Sequence, residues 1–262
     1  MAENVSLLQK KDTFAALQNF CSIMSISKAQ IKRIRSLHQS KFRRAEQLFF
    51  IEGKKGVEEA MQSRFQVVET FSTSEAWVAE NKGALLISET EMAQISDLHS
   101  PSEYFALIKM KGNGVFTEKG KWLYLDGIRD PGNLGTIIRT AHWFGWKGIV
   151  LSNDCVEWSN PKVIQSTMGS IFHIEIVIDD NHVLETLKGK NSLPIWGACL
   201  EGEALAKGQS SEDCILVIGS ESHGIRPDAL TQLTHRVTIP SKGSAESLNA
   251  AIATAIILYE WS

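Results

Sequence analysis

The chain of 262 residues is 43% hydrophobic and 22% charged with a net charge of -3, which excludes the disordered and fibrous classes and suits two globular domains of unequal size. No run reaches the roughly 18 apolar residues of a membrane span, and the amino end lacks the cationic, apolar and small-residue series of a secretory signal. Cys21, Cys155, Cys199 and Cys214 form neither a CxxC pair nor a zinc-spaced cluster with histidine, so they are expected to be reduced thiols in a cytoplasmic protein without structural metal.

Residues 1–23 read as an extension of no fixed structure, because Met24-Ser25-Ile26-Ser27-Lys28 looks like a fresh start with a serine helix cap. From there the basic charge is local. Lys28, Lys32, Arg33, Arg35, Lys41, Arg43 and Arg44 follow one another with no carboxylate between them. Ile31, Ile34 and Leu37 recur at helical intervals and predict a basic amphipathic helix. Lys32, Arg33, Arg35, Lys41, Arg43 and Arg44 are candidates for phosphate contacts with a nucleic acid, against the plainer reading of a solvated helix face. Phe42, Phe49 and Phe50 read as core. Strands are expected over 48–51, 65–71, 84–87 and 104–110, and helices over 56–61, 74–80 and 89–98. The glycine-rich, charged stretch 111–121 cannot support a core element and marks a boundary. The expected divisions are a first domain over 24–112, a linker over 113–120 and a second domain over 121–262. In the second, strands over 122–125, 148–151, 174–178, 195–200, 215–218 and 237–239 alternate with helical segments, the pattern of a mostly parallel α/β sheet with ligands at its carboxyl edge.

Three segments carry chemistry. Asp126-Gly127-Ile128-Arg129-Asp130-Pro131-Gly132-Asn133 runs from a strand end through a Pro-Gly turn into a helix, with Asn133 as its expected cap and Arg139 six residues later, near the strand end rather than in solvent. Ile218-Gly219-Ser220-Glu221-Ser222-His223-Gly224 takes a buried strand into two glycines framing a carboxylate. Ile239-Pro240-Ser241-Lys242-Gly243 opens a polar loop that ends in Ser247-Leu248-Asn249 before an apolar helix, where either Ser247 or Asn249 could cap.

In this order over roughly residues 120–260, the three segments resemble the motifs of the SpoU/TrmH family of RNA 2′-O-ribose methyltransferases. Residues 27–110, with Lys41-Phe42-Arg43-Arg44 and Phe50-Ile51-Glu52-Gly53, are similar to that family's amino-terminal substrate-binding domain, which folds like certain RNA-binding ribosomal proteins. The resemblance implies a carboxyl-terminal α/β domain tied into a deep trefoil knot, the SPOUT fold, and a homodimer. It implies S-adenosyl-L-methionine as cofactor, held by Leu200, Gly219, Ser220, Ile239 and Leu248, and catalysis by Asn133, Arg139, Glu221, Ser247 and Asn249 without a metal. The substrate it implies is structured RNA, ribosomal rather than transfer RNA, with a catalytically silent assembly factor as the rival reading. Three positions depart from the family pattern: Ser222 where glycine is common, Ser241 where methionine is common, and Ala250-Ala251 where valine-serine is common. Arg139, whose guanidinium is a poor proton acceptor, is expected to bind a phosphate and orient the hydroxyl. Glu221 is expected to fix Arg139 or the Gly219 loop.

Overall fold

The computed structural model describes residues 26–180, 182–190 and 193–262; the extension expected over 1–23 lies outside them. Helix α1, Lys28–Ser36, begins where the sequence places it. The Ser27 hydroxyl accepts from the Gln30 N–H at 3.2 Å while Gln30 accepts from the Ser27 N–H at 3.1 Å, a reciprocal box that satisfies two donors with no partner inside the helix.

The basic amphipathic helix expected from Ile31, Ile34 and Leu37 is α1; the chain then turns at Leu37 and restarts as α2, Ser40–Glu46. Arg43 stabilises the break. Its Nη1 donates to the Leu37 and His38 carbonyls at 2.9 and 3.0 Å, groups that the interrupted helix leaves unpaired. Its Nη2 pairs with Glu157 and its Nε with the Ser159 hydroxyl. At 2% exposure Arg43 is part of the interior, which corrects its assignment to the RNA-facing set: the run lacks carboxylates in sequence, but one from the second half of the chain reaches it.

The first sheet holds β1 Leu48–Glu52, β2 Val67–Ser72, β3 Leu85–Leu86 and β4 Tyr104–Lys109, in the order β1-β4-β2-β3. Helices α3 Lys54–Gln62, α4 Glu75–Glu80 and α5 Glu89–Ile95 intervene. Strand alternation sends Leu48 and Phe50 into one cluster with Ile34 and Leu37, and Phe49 and Ile51 into another. That second cluster continues into the other half of the molecule, where Phe49 meets Trp158 edge-on at 5.3 Å and Phe65 meets Phe172 likewise at 5.3 Å. The seam also carries Arg64 on Glu175, and His173 on Glu59 at 2.5 Å with His142 stacked on His173 at 4.8 Å.

The second sheet is parallel throughout: β5 Lys121–Asp126, β6 Gly148–Leu151, β7 Glu175–Ile178, β8 Ile195–Ala204, β9 Cys214–Gly219 and β10 His235–Thr238, ordered β10-β8-β9-β5-β6-β7. Helices α6 Pro131–Trp143, α7 Pro161–Thr167, α8 Val183–Lys190, α9 Pro227–Gln232 and α10 Ala250–Glu260 accompany it. Both faces are buried, with Trp122 and Tyr124 of β5 in one cluster and Leu123 and Leu125 in the other, as a parallel sheet under helices requires. The chain before β5 lies along the free edge of β7, where Asn113 exchanges two hydrogen bonds with the Ile178 backbone at 2.6 and 2.8 Å, and so shields that edge. Among the described residues no helix is long and apolar enough to cross a membrane.

Candidate active site

Helix α6 starts at Asp130, whose Oδ1 accepts from the Asn133 N–H at 2.7 Å, and Pro131 follows at the first position, where no N–H is needed. Asn133 is therefore not the cap that the sequence suggested. The Asp-Pro pair carried the signal. Relieved of capping, the Asn133 side chain donates from Nδ2 to Glu221 Oε1 at 2.5 Å.

Asn249 does cap. Its Oδ1 accepts from Ala251 and Ile252 at 2.9 and 3.2 Å, which leaves Nδ2 to donate to Glu221 Oε1 at 2.8 Å and to Asn133 Oδ1 at 3.0 Å. An ionised carboxylate only accepts, so one oxygen of Glu221 gathers a donor from each of the other two motifs. The amino end of α10, which favours negative charge, adds the Ala250 N–H at 3.4 Å.

The turn that presents Glu221 needs both its glycines, for different reasons. A Cβ on Gly219 would lie 2.1 Å from the Gly224 carbonyl carbon and 2.2 Å from the Ile225 nitrogen. Gly224 has open space but a φ of +66°, which other residues rarely adopt. The turn closes through Ser220 N–H to Gly224 O at 3.1 Å and the reverse bond at 2.8 Å. His223, at its tip, is exposed with Nδ1 2.7 Å from the Ser222 hydroxyl.

Two expected members stand apart. Arg139 is exposed, and its guanidinium has no side-chain partner among the described residues. It is in solvent rather than shielded, and Glu221 bonds Asn133 and Asn249 instead; six residues at 3.6 per turn set Arg139 about 120° around α6 from Asn133. Ser247 is likewise exposed and makes no side-chain bond among the described residues.

The five candidate cofactor residues come from three neighbouring strands and the exposed loop that leads into α10. Gly219 ends β9 with Ser220 after it, Ile239 follows β10, and Leu248 precedes α10. Strand β8 pairs with β9 only from Ile195 to Gly197, and the β10 register slips from Gly197 to Glu203. The intervening segment bulges and carries Leu200, 78% exposed, out beside the strand ends, with its carbonyl accepting from the Thr238 hydroxyl at 3.0 Å. Leu200 and Leu248 are 78% and 45% exposed, apolar surface of the kind that the faces of an adenosine cover. Sequence reasoning also missed the far end of the Glu221 turn, where Arg226 reaches Asp126; no spacing signal marks that pair.

Comparison with known proteins gives the family. Residues 121–259 match the SpoU rRNA Methylase family and residues 28–106 an MRM3-like substrate binding domain. The chain is 31% identical over 243 residues to the 23S rRNA (guanosine(2553)-2′-O)-methyltransferase RlmP of Bacillus subtilis (strain 168), covering 90% of this chain and 97% of that protein. A structure described as an RNA methyltransferase of the TrmH family from Porphyromonas gingivalis matches with a TM-score of 0.81 at 35% identity, covering 90% of this chain and 98% of that one. An AdoMet-bound rRNA methyltransferase from Sinorhizobium meliloti matches with a TM-score of 0.79 at 27% identity, covering 90% and 96%. The chain belongs to the SpoU rRNA methylase family.

Proposed function

We propose that this protein transfers the methyl group of S-adenosylmethionine to a ribose 2′-hydroxyl of ribosomal RNA. The observation that carries the reading is the Glu221 carboxylate holding Asn133 and Asn249 together, which joins three distant segments into one polar centre on the Gly219 turn.

S-adenosylmethionine supplies an activated methyl on a sulfonium. Gly219, Ser220, Leu200, Ile239 and Leu248 would hold it. The rest of the reaction is alignment: the ribose oxygen must sit in line behind the methyl carbon and give up its proton as the bond forms. Asn133, Asn249 and Ser247 orient the nucleophile, and Glu221 fixes the two carboxamides through charge-assisted bonds. Arg139 grips the neighbouring phosphate through its planar guanidinium.

The protein acts as an isologous homodimer in which Arg139 of one protomer serves the cofactor held by its partner. Supporting this, the Arg139 guanidinium has no side-chain partner among the described residues, and large apolar side chains stand exposed on the packed pair α6 and α10, with Trp143 83% and Tyr259 66% exposed. The chain's end is threaded as a trefoil knot, a rare topology; in support, the segment after β8 crosses the end of α10, where the Gly208 N–H donates to the Glu260 carbonyl at 2.8 Å. Residues 24–112 grip the RNA, 113–120 link, and 121–262 transfer the methyl group. Lys32, Arg35 and Lys41 lead the RNA footprint, with Arg33 and Arg44 exposed but shared with Glu46 and Glu157. We place the protein in the cytoplasm with its RNA. Mapping 2′-O-methyl groups in cells with and without the protein tests the substrate. Loss at a ribosomal RNA position is expected, and loss confined to transfer RNA, or none, would overturn the assignment.

A further inference from the structure

The turn that carries Glu221 is anchored at both ends to one buried residue, Asp126. Its leading end, Gly219, is the register partner of Asp126 across β5 and β9. Its trailing end is Arg226, whose backbone N–H donates to Asp126 Oδ2 at 2.7 Å while Nε and Nη2 each lie 2.6 Å from Oδ1. Between those ends the Ser220 and Gly224 bonds close the turn on itself into one block. The orientation of that block, and with it the position of the exposed Glu221 carboxylate, depends on what holds the two ends and on the burial of Ile225 beside them.

The chemistry at the trailing end is that of a clamp and not of an anion site. The Asp126 side chain is 0% exposed and that of Arg226 41%, and Arg226 Nη1 also faces Asp154 Oδ1 at 3.4 Å. Arg129 lies 3.6 Å from the other Asp154 oxygen, so two guanidiniums meet two carboxylates and no cation is left over for a phosphate. Burial pushes Asp154 up, yet the Ser152 hydroxyl and the Arg226 guanidinium hold it below the usual carboxylate range. A buried carboxylate tolerates loss of its partner poorly, and a lysine presents one nitrogen where arginine presents a planar edge.

We propose that Arg226 is a positioning residue for methyl transfer: by gripping Asp126 it sets the place of Glu221, and through Glu221 the carboxamides of Asn133 and Asn249. The proposal rests on the methyltransferase reading of that site. Arg226 itself touches none of the reacting groups.

The test is a double-mutant cycle on the full-length protein with Arg226→Lys, Glu221→Gln and the pair together. Wild-type methyl transfer to RNA is measured first, so failure of the reaction assignment is seen before the cycle begins. Arg226→Lys is expected to keep the melting midpoint and the RNA KM and to lower kcat about tenfold, the scale of a slightly displaced positioning group. If it acts through Glu221, the double variant is as slow as Glu221→Gln alone. Losses that multiply in the double variant, an unchanged kcat, or a kcat loss matched by a lowered melting midpoint would each overturn the proposal. Should Arg226→Lys fail to fold, Asp126→Asn runs the same cycle from the other side of the clamp, with the same expected non-additivity.

Discussion

Asn249 performs two tasks with the two ends of one carboxamide, and substitution can separate them. Its oxygen caps α10 and its nitrogen reaches Glu221 and Asn133. Serine is also a good cap, so Asn249→Ser should change stability by less than about 0.5 kcal/mol, whereas Asn249→Ala should lose about 1 kcal/mol. Both remove the nitrogen, and both should slow methyl transfer about a hundredfold, the scale set by misplacing a nucleophile. Urea titration and single-turnover kinetics on the pair check this; an active Asn249→Ser would mean that capping is all the residue does. At this scale the sequence narrowed the cap of α10 to Ser247 or Asn249, and the structure assigns it to Asn249. The sequence misled where two residues competed for one role: Asp130 and Asn133 can both cap, and the proline between them decides. Helical phase, readable from the sequence, already set Arg139 off the face of Asn133.

Arg43 and its neighbours mark the limit of charge patterning at the scale of elements. Seven cations in a row without a carboxylate looked uniform, yet one points inward, because the turn after α1 leaves carbonyls to satisfy and Glu157 arrives from the other half of the chain. Arg43→Ala leaves Glu157 to Arg44 alone and takes the donor from the Leu37 and His38 carbonyls, and should cost about 1–3 kcal/mol in urea unfolding. Neutralising Lys32 and Arg35, which are exposed, should leave stability nearly unchanged but flatten the salt dependence of RNA binding by about one unit for each phosphate that is no longer neutralised. Equal effects of the two sets on the salt slope would return Arg43 to the RNA face. The same ion pair sets a pH dependence. Burial pushes Glu157 up, but the Arg44 and Arg43 guanidiniums outweigh it and hold it below its ordinary 4.5. A carboxyl lowered by folding contributes stability that is fully present above pH 4.5 and is lost as the pH falls through its folded value. Wild-type protein should therefore lose stability more steeply below pH 4.5 than Glu157→Gln, and parallel curves would contradict the pairing.

Alternating apolar and helical stretches announced a parallel sheet, and all six strands of the carboxyl-terminal half lie near their expected places. Their order did not follow from periodicity, since β9 between β8 and β5 depends on long crossovers that leave no local pattern. The continuity of the core across both halves was equally hidden, because Phe49 and Trp158 are ordinary apolar residues until the fold brings them together. A shared site between protomers can be tested by complementation. Arg139→Ala and Asn249→Ala are each expected to be inactive. After subunit exchange about half the dimers are mixed, and under twofold symmetry about a quarter of all sites escape both lesions. Recovery near that level is expected; a mixture as inactive as its parents, with exchange confirmed by native mass spectrometry, would rule the shared site out. The claim beneath all of this is methyl transfer to a ribose oxygen. Purified protein should be incubated with methyl-tritiated S-adenosylmethionine and ribosomal RNA, and the RNA then digested in alkali. A 2′-O-methyl group blocks cleavage at its own phosphodiester, so the account predicts tritium in one alkali-resistant dinucleotide. Tritium in mononucleotides, or none in the RNA, would contradict it.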